Sequence, residues 1–184
     1  MPNERIYIED TIVASASGDG SAGVNVIRVS GPDTEEIASI LLKSLPEPRT
    51  ASYTKFKNKN KETIDVGIAL YFPAPNSYTG ESILELHAHG GSIIGNSIIE
   101  EIISLGARQA QPGEFTKRAY LNGKIDLTQA EAVADLINSG TKRSAKAAIQ
   151  SLTGKFSNLV KSLDEQLTKL RLFVEASIDF PEED

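Results

Sequence analysis

Residues 112–132 read PGEFTKRAYLNGKIDLTQAEA, and they stand where strand signals stop and helical spacing takes over. Asp126 followed by Gln129 forms a capping-box start, and Leu127, Ala130, Val133, Ala134 and Ile137 then fall on one apolar helix face. Upstream of that start the chain crowds Lys117, Arg118 and Lys124. A cation near a helix N-terminus opposes the macrodipole, so helix formation gives no reason for Lys124 two residues before Asp126. The charge calls for another purpose.

Before this junction, short runs rich in β-branched and aromatic residues predict strands at Thr11 to Ala14, Val24 to Val29, Ser52 to Lys57, Ile64 to Phe72 and Ser82 to His87. Helical spacing predicts helices over Asp33 to Leu45 and Ile93 to Leu105, with Pro32 and Gly106 as start and stop signals. The mixture implies an α/β or α+β sheet domain. Beyond the junction, Ser139-Gly140-Thr141 interrupts the first helical pattern. A second then places Ala145, Ile149, Leu152, Phe156, Leu159, Leu163, Leu167, Leu170 and Val174 at gaps of three or four, before Pro181. Read as one helix it is about 50 Å long, although Gly154 lies inside it. Its apolar stripe needs cover, which suggests a chain that stops inside a helical domain.

Composition is that of an ordinary folded protein, with 40% hydrophobic and 24% charged residues. The absence of cysteine excludes disulfides, cysteine-type zinc sites and thiol nucleophiles. No apolar run reaches membrane-spanning length, and the acidic Met1 to Asp10 stretch lacks the regions of a signal peptide, so a cytoplasmic protein is expected. A net charge of -6 argues against bulk attraction to nucleic acid. Locally, Gly106 to Lys146 holds seven Lys or Arg against four Asp or Glu.

Two charges interrupt apolar strands. Val24, Val26 and Arg28 share one side of their strand, and Ile83, Glu85 and His87 share one side of theirs. A charge so placed is paired or bound, because leaving it dry and alone costs several kcal/mol. Either Arg28 and Glu85 pair with each other or lie at a wet strand end, or they form a ligand site in which a carboxylate takes two adjacent N–H donors and Arg takes a carbonyl or carboxylate. His87 and His89 in LHAHGGS lack a supporting metal-ligand pattern. GDGSAG (18–23) and GKFS (154–157) lack the features of a phosphate loop, and the loop YFPAPNSYTGES (71–82) carries Tyr78 as a pocket-wall candidate.

Together DTIVASAS, IRVSGP, DVGIALYFPAPNSYTGES, LELHAHGG, PGEFTKRAYLNGKIDLTQAEAVADLI and FVEASIDFPEED resemble the MnmE (TrmE) family of tRNA modification GTPases, from Asp10 to Asp184. The resemblance implies a tetrahydrofolate-binding and dimerisation domain over residues 1–118, similar in fold to the folate domain of aminomethyltransferases. Residues 119–184 would begin a helical domain, with the GTPase domain absent. It places the 5-formyltetrahydrofolate contacts on Arg28, Glu85 and Lys124, and so supplies a purpose for Lys124. It implies a homodimer, a flavoprotein partner called MnmG, tRNA as substrate at the wobble uridine, and GTP, magnesium and potassium confined to the missing domain. The chain departs from the family at Asn25, where glycine is usual. A freestanding folate-dependent one-carbon transferase and a ligand-free structural dimerisation module are the alternatives.

Overall fold

The computed structural model describes residues 10–18 and 22–179. The acidic start, the centre of the GDGSAG loop and Pro181 lie outside the described residues. The chain divides into two compact units, Met1–Lys124 and Ile125–Asp184.

The first unit is built on a six-stranded mixed sheet: β1 (Ile12–Ser15), β2 (Val24–Ser30), β3 (Ser52–Lys57), β4 (Thr63–Phe72), β5 (Ile83–His89) and β6 (Arg108–Gln109), in spatial order β3-β4-β5-β2-β1-β6. All neighbours are antiparallel except β1 and β6. Strand alternation sends Ile27, Val29, Leu84, Leu86, Ala88 and Ala69 to one face. There they pack with Ile37, Ala38 and Leu41 of α1 (Thr34–Leu42) and Ile98, Ile99 and Ile102 of α2 (Ser92–Ser104) to form the core.

Asn25 lies on that face. Its Oδ1 accepts hydrogen bonds from Ser15 Oγ and Ser17 Oγ at 2.9 and 2.8 Å. Its Nδ2 occupies space beside Gly95 of α2, where a Cβ would come within 2.2 Å. The side-chain carbonyl is thus satisfied, and Gly95 makes room for the amide nitrogen.

Two elements were not expected from periodicity: β6, and α3 (Glu114–Leu121), which contains Arg118. Near the Ser30 end of β2, α3 and the loop after β4 meet the sheet face opposite the core.

The second unit comprises α4 (Leu127–Ile137), α5 (Lys142–Leu152) and α6 (Lys155–Asp179). The expected capping box is present: Asp126 Oδ1 accepts from Gln129 N at 2.8 Å, and Asp126 N donates to Gln129 Oε1 at 3.0 Å. Ala132 of α4 and Ala148 of α5 are buried, and Gln129 Nε2 reaches the carbonyl of Leu152 at 2.9 Å. The 50 Å helix is corrected to two. Gly154 adopts φ +78, in the left-handed region where a helix cannot continue, and α5 ends before it. Within α6, Leu159, Leu163, Leu167, Leu170 and Phe173 remain more than half exposed.

Candidate functional site

Antiparallel register sets Arg28 of β2 opposite Glu85 of β5, on the face away from the core. The two side chains pair: Arg28 Nη2 and Nε lie 2.6 and 2.8 Å from the same Glu85 oxygen, Oε1. Glu85 Oε2 is left facing His87 Nε2 at 3.8 Å, beyond hydrogen-bond reach. Both charges are partly buried, with side-chain exposures of 25% and 16%. The guanidinium also lies against two aromatic rings, 5.5 Å from the centroid of Tyr78 and 5.6 Å from that of Phe115. At this range each ring face attracts the cation electrostatically.

The ring walls come from different segments. Phe115 belongs to α3, whereas Tyr78 belongs to the 73–82 loop, and the Tyr78 hydroxyl is 2.9 Å from Thr116 Oγ1. Asn122 Nδ2 donates to the Thr79 carbonyl at 2.7 Å. Beneath the loop, Ser30 Oγ lies 2.7 Å from Thr79 Oγ1 and donates to Glu81 Oε2 at 2.7 Å. Gly80, at φ +81, brings the loop backbone so close to Lys124 that a Cβ there would sit 3.3 Å from the lysine's Cγ and Cδ. Lys124 Nζ then donates to the carbonyl of Pro75 at 2.9 Å.

The three sequence-derived residues are therefore related as follows. Arg28 and Glu85 are brought together, and the internal pair that was one of the readings is formed. Lys124 has no hydrogen bond to either among the described residues; it clasps the loop whose Tyr78 covers Arg28. A separate cleft lined by Leu42, Lys43, Tyr53, Thr54 and Lys55 contains none of the three.

The loop and α3 are anchored by a second charge cluster that sequence reading missed. Arg118, only 7% exposed, donates to Asp10 Oδ1 at 2.6 Å, to Glu81 at 3.1 Å and to Glu114 at 3.2 Å. Arg108 pairs with Asp10 and Glu114 as well. Hydrogen bonding from Arg108, assisted by Arg118 and the Gln111 backbone and opposed by burial, pulls the Glu114 carboxyl down to about 2. Burial by itself would raise the Asp10 carboxyl, but both guanidinium groups bring it below its ordinary range. Arg118 is thus a structural cation. Of the crowded positive charges at the junction, Lys124 alone touches the 73–82 loop backbone through a hydrogen bond.

At the far end of β5, Asp65 Oδ2 accepts from the His89 backbone at 2.8 Å, and Asp65 Oδ1 lies 2.8 Å from His89 Nδ1. Among the described residues no group of three or more His, Asp or Glu side chains is arranged to hold a metal ion. Nor is any described helix long and apolar enough to cross a membrane.

A flat, two-walled cation beside a carboxylate with one free oxygen suits a planar ligand bearing both N–H donors and acceptors. Comparison with known proteins identifies the family of the chain. The family model described as "GTP-binding protein TrmE N-terminus" matches residues 11–124, and that of the "MnmE helical domain" matches residues 127–184. The tRNA modification GTPase MnmE of Coxiella burnetii (strain RSA 493 / Nine Mile phase I) is 51% identical over 175 residues, covering 95% of this chain and 38% of the relative. Those of Marinomonas sp. (strain MWYL1) and Nitrosospira multiformis are 52% and 53% identical, covering 96% and 95% of this chain. The chain spans 38% and 39% of the length of those two relatives. Two consecutive family matches and this level of identity carry one conclusion: the chain belongs to the MnmE (TrmE) family of tRNA modification GTPases.

Proposed function

We propose that this chain is the folate-binding and dimerising part of a protein that modifies the wobble uridine of tRNA, with 5-formyltetrahydrofolate as the ligand of Arg28, Glu85 and Lys124. Folate binding and dimerisation are assigned to the sheet unit, and the helices that follow to a helical domain. The observation that carries the reading is the Arg28–Glu85 pair itself, a partly buried ion pair under two aromatic rings. Arg118 is held by three carboxylates, whereas Arg28 meets Glu85 alone among the described residues, and one Glu85 oxygen has no hydrogen bond there.

The donor set fits a reduced pterin. Glu85 keeps Oε2 free to accept one N–H of an aminopyrimidine edge. Accepting the adjacent N–H as well requires Arg28 to yield Oε1, which turns the guanidinium toward acceptors on the ligand. Tyr78 and Phe115 supply flat apolar walls for a ring, and Lys124 brings a positive charge to the loop that carries Tyr78. The folate, when bound, supplies a one-carbon unit. The side chains hold and orient it, and none is placed to perform covalent chemistry on it.

In the whole protein this part would work as a homodimer in the cytoplasm, with the flavoprotein MnmG and with a GTPase domain that uses GTP, magnesium and potassium. Equilibrium dialysis of the intact chain against 5-formyltetrahydrofolate, with sedimentation of the same samples, tests the reading. Saturable binding by a dimer is expected. A chain that binds no reduced folate at any attainable concentration would remove the ligand assignment, and one that stays monomeric would remove the dimer.

A further inference from the structure

Of the seven positive charges between Gly106 and Lys146, Lys117 is exposed in the sheet unit and Lys124 holds the 73–82 loop. Arg108 and Arg118 are consumed by Asp10, Glu81 and Glu114 within the sheet unit. The cations of the helical unit are different. From Leu136 to Leu163 the chain carries Lys142, Arg143, Lys146, Lys155 and Lys161 without one acidic residue, although its net charge is -6. Lys142, Arg143, Lys146 and Lys155 are exposed, and none forms an ion pair among the described residues.

This arrangement works against the helix that displays it. Lys142 and Arg143 occupy the first turn of α5, where a positive charge opposes the macrodipole by a few tenths of a kcal/mol each. Lys142 and Lys146 are four residues apart, so they share one face at roughly 5–6 Å between Cβ atoms and repel each other. The helix start is held instead by the reciprocal Thr141–Ser144 capping box. Gln150 continues the Lys142–Lys146 stripe as an exposed neutral donor. A row of long, uncompensated cations with no aromatic anchor matches a repeating polyanion better than a protein hot spot, which centres on buried aromatic or Arg residues.

We propose that the Lys142–Arg143–Lys146 face of α5 binds the sugar-phosphate backbone of RNA without reading its sequence. Naming RNA as the polyanion rests on the family reading above. Contacts of this kind position a substrate, while recognition of the modified base lies elsewhere.

The test is binding of a fluorescently labelled tRNA transcript to the intact chain between 50 and 200 mM potassium chloride, followed by anisotropy. The triple variant Lys142→Gln, Arg143→Gln, Lys146→Gln is compared with Lys55→Gln, Lys57→Gln, Lys59→Gln, which removes equal charge from the sheet unit. The α5 variant is expected to lose at least about tenfold in affinity. Its plot of log affinity against log salt becomes shallower by about 2–3, one for each phosphate contact removed. The control stays within about twofold of wild type, and circular dichroism of both is unchanged. Equal losses in the two variants would overturn the proposal in favour of bulk charge. Displacement of the tRNA by polyglutamate at matched charge would overturn it in favour of an acidic protein surface, and so would a wild-type chain that binds no tRNA. Titrating 5-formyltetrahydrofolate into the same samples separates the two readings. Intact folate binding without tRNA binding sinks only this one, while α5-dependent tRNA binding without folate binding sinks only the former.

Discussion

Replacing Glu114 by Gln keeps the shape of the Arg108–Arg118 cluster and removes one of its charges. Glu114 is 7% exposed and accepts hydrogen bonds from both guanidinium groups. Its carboxyl falls from the usual 4.5 to about 2 in the folded chain. At about 1.4 kcal/mol for each tenfold change in proton affinity, ionised Glu114 contributes roughly 3 kcal/mol to the sheet unit. Because the folded value is depressed, that contribution is complete above about pH 5 and disappears as pH falls from 4.5 toward 2. Glu114→Gln should therefore lower stability by roughly 3 kcal/mol at pH 7, by about 2 kcal/mol at pH 3.5, and by less than about 1 kcal/mol at pH 2.5. All five tyrosines precede residue 125 and the chain has no tryptophan, so tyrosine fluorescence during urea unfolding reports on the sheet unit alone. An equal difference at pH 7 and pH 3 would show that shape, and not charge, holds α3 in place.

Gly80→Ala places a side chain at φ +81 and within 3.1 Å of Asn122 Cβ, so it should cost about 1–3 kcal/mol in urea unfolding and weaken folate binding in parallel. Tyr78→Ala should lower folate affinity about tenfold, the scale of a partly desolvated cation–π contact, while Tyr78→Phe, which keeps the ring, stays close to wild type in the same calorimetric titration. Gly154→Ala should destabilise the helical unit by about 1 kcal/mol in thermal melts followed by circular dichroism at 222 nm. A rise in stability there would mean that α5 and α6 run on as one helix.

The parts of this structure legible in the sequence are those whose signal is local. Period-two runs gave five of the strands, and the Asp126–Gln129 capping box fixed the start of α4. Alternation alone was enough to put Arg28 and Glu85 on one side of the sheet, because both strands are regular through those positions. What escaped depends on distant partners. α3 has no long apolar stripe; its buried Glu114 and Arg118 are made burial-compatible by Asp10, Glu81 and Arg108, and no spacing rule announces such partners. Phe115 was invisible for the same reason, since its place over Arg28 is set by how α3 meets the sheet. The break at Gly154 was signalled by residue type, but the apolar spacing continues across it, so periodicity could not register a left-handed residue.

The central claim concerns three side chains and one ligand, and calorimetric titration of 5-formyltetrahydrofolate into wild type, Glu85→Gln and Lys124→Met tests it most directly. Loss of a charged acceptor from the ligand's N–H edge should cost about 1.5–3 kcal/mol, a drop of roughly 10- to 150-fold for Glu85→Gln. Lys124→Met should fall by about tenfold, with its loop loosened from Pro75 as well. Wild-type affinity in both variants would contradict the account and leave Arg28 and Glu85 as a pair that serves only the sheet.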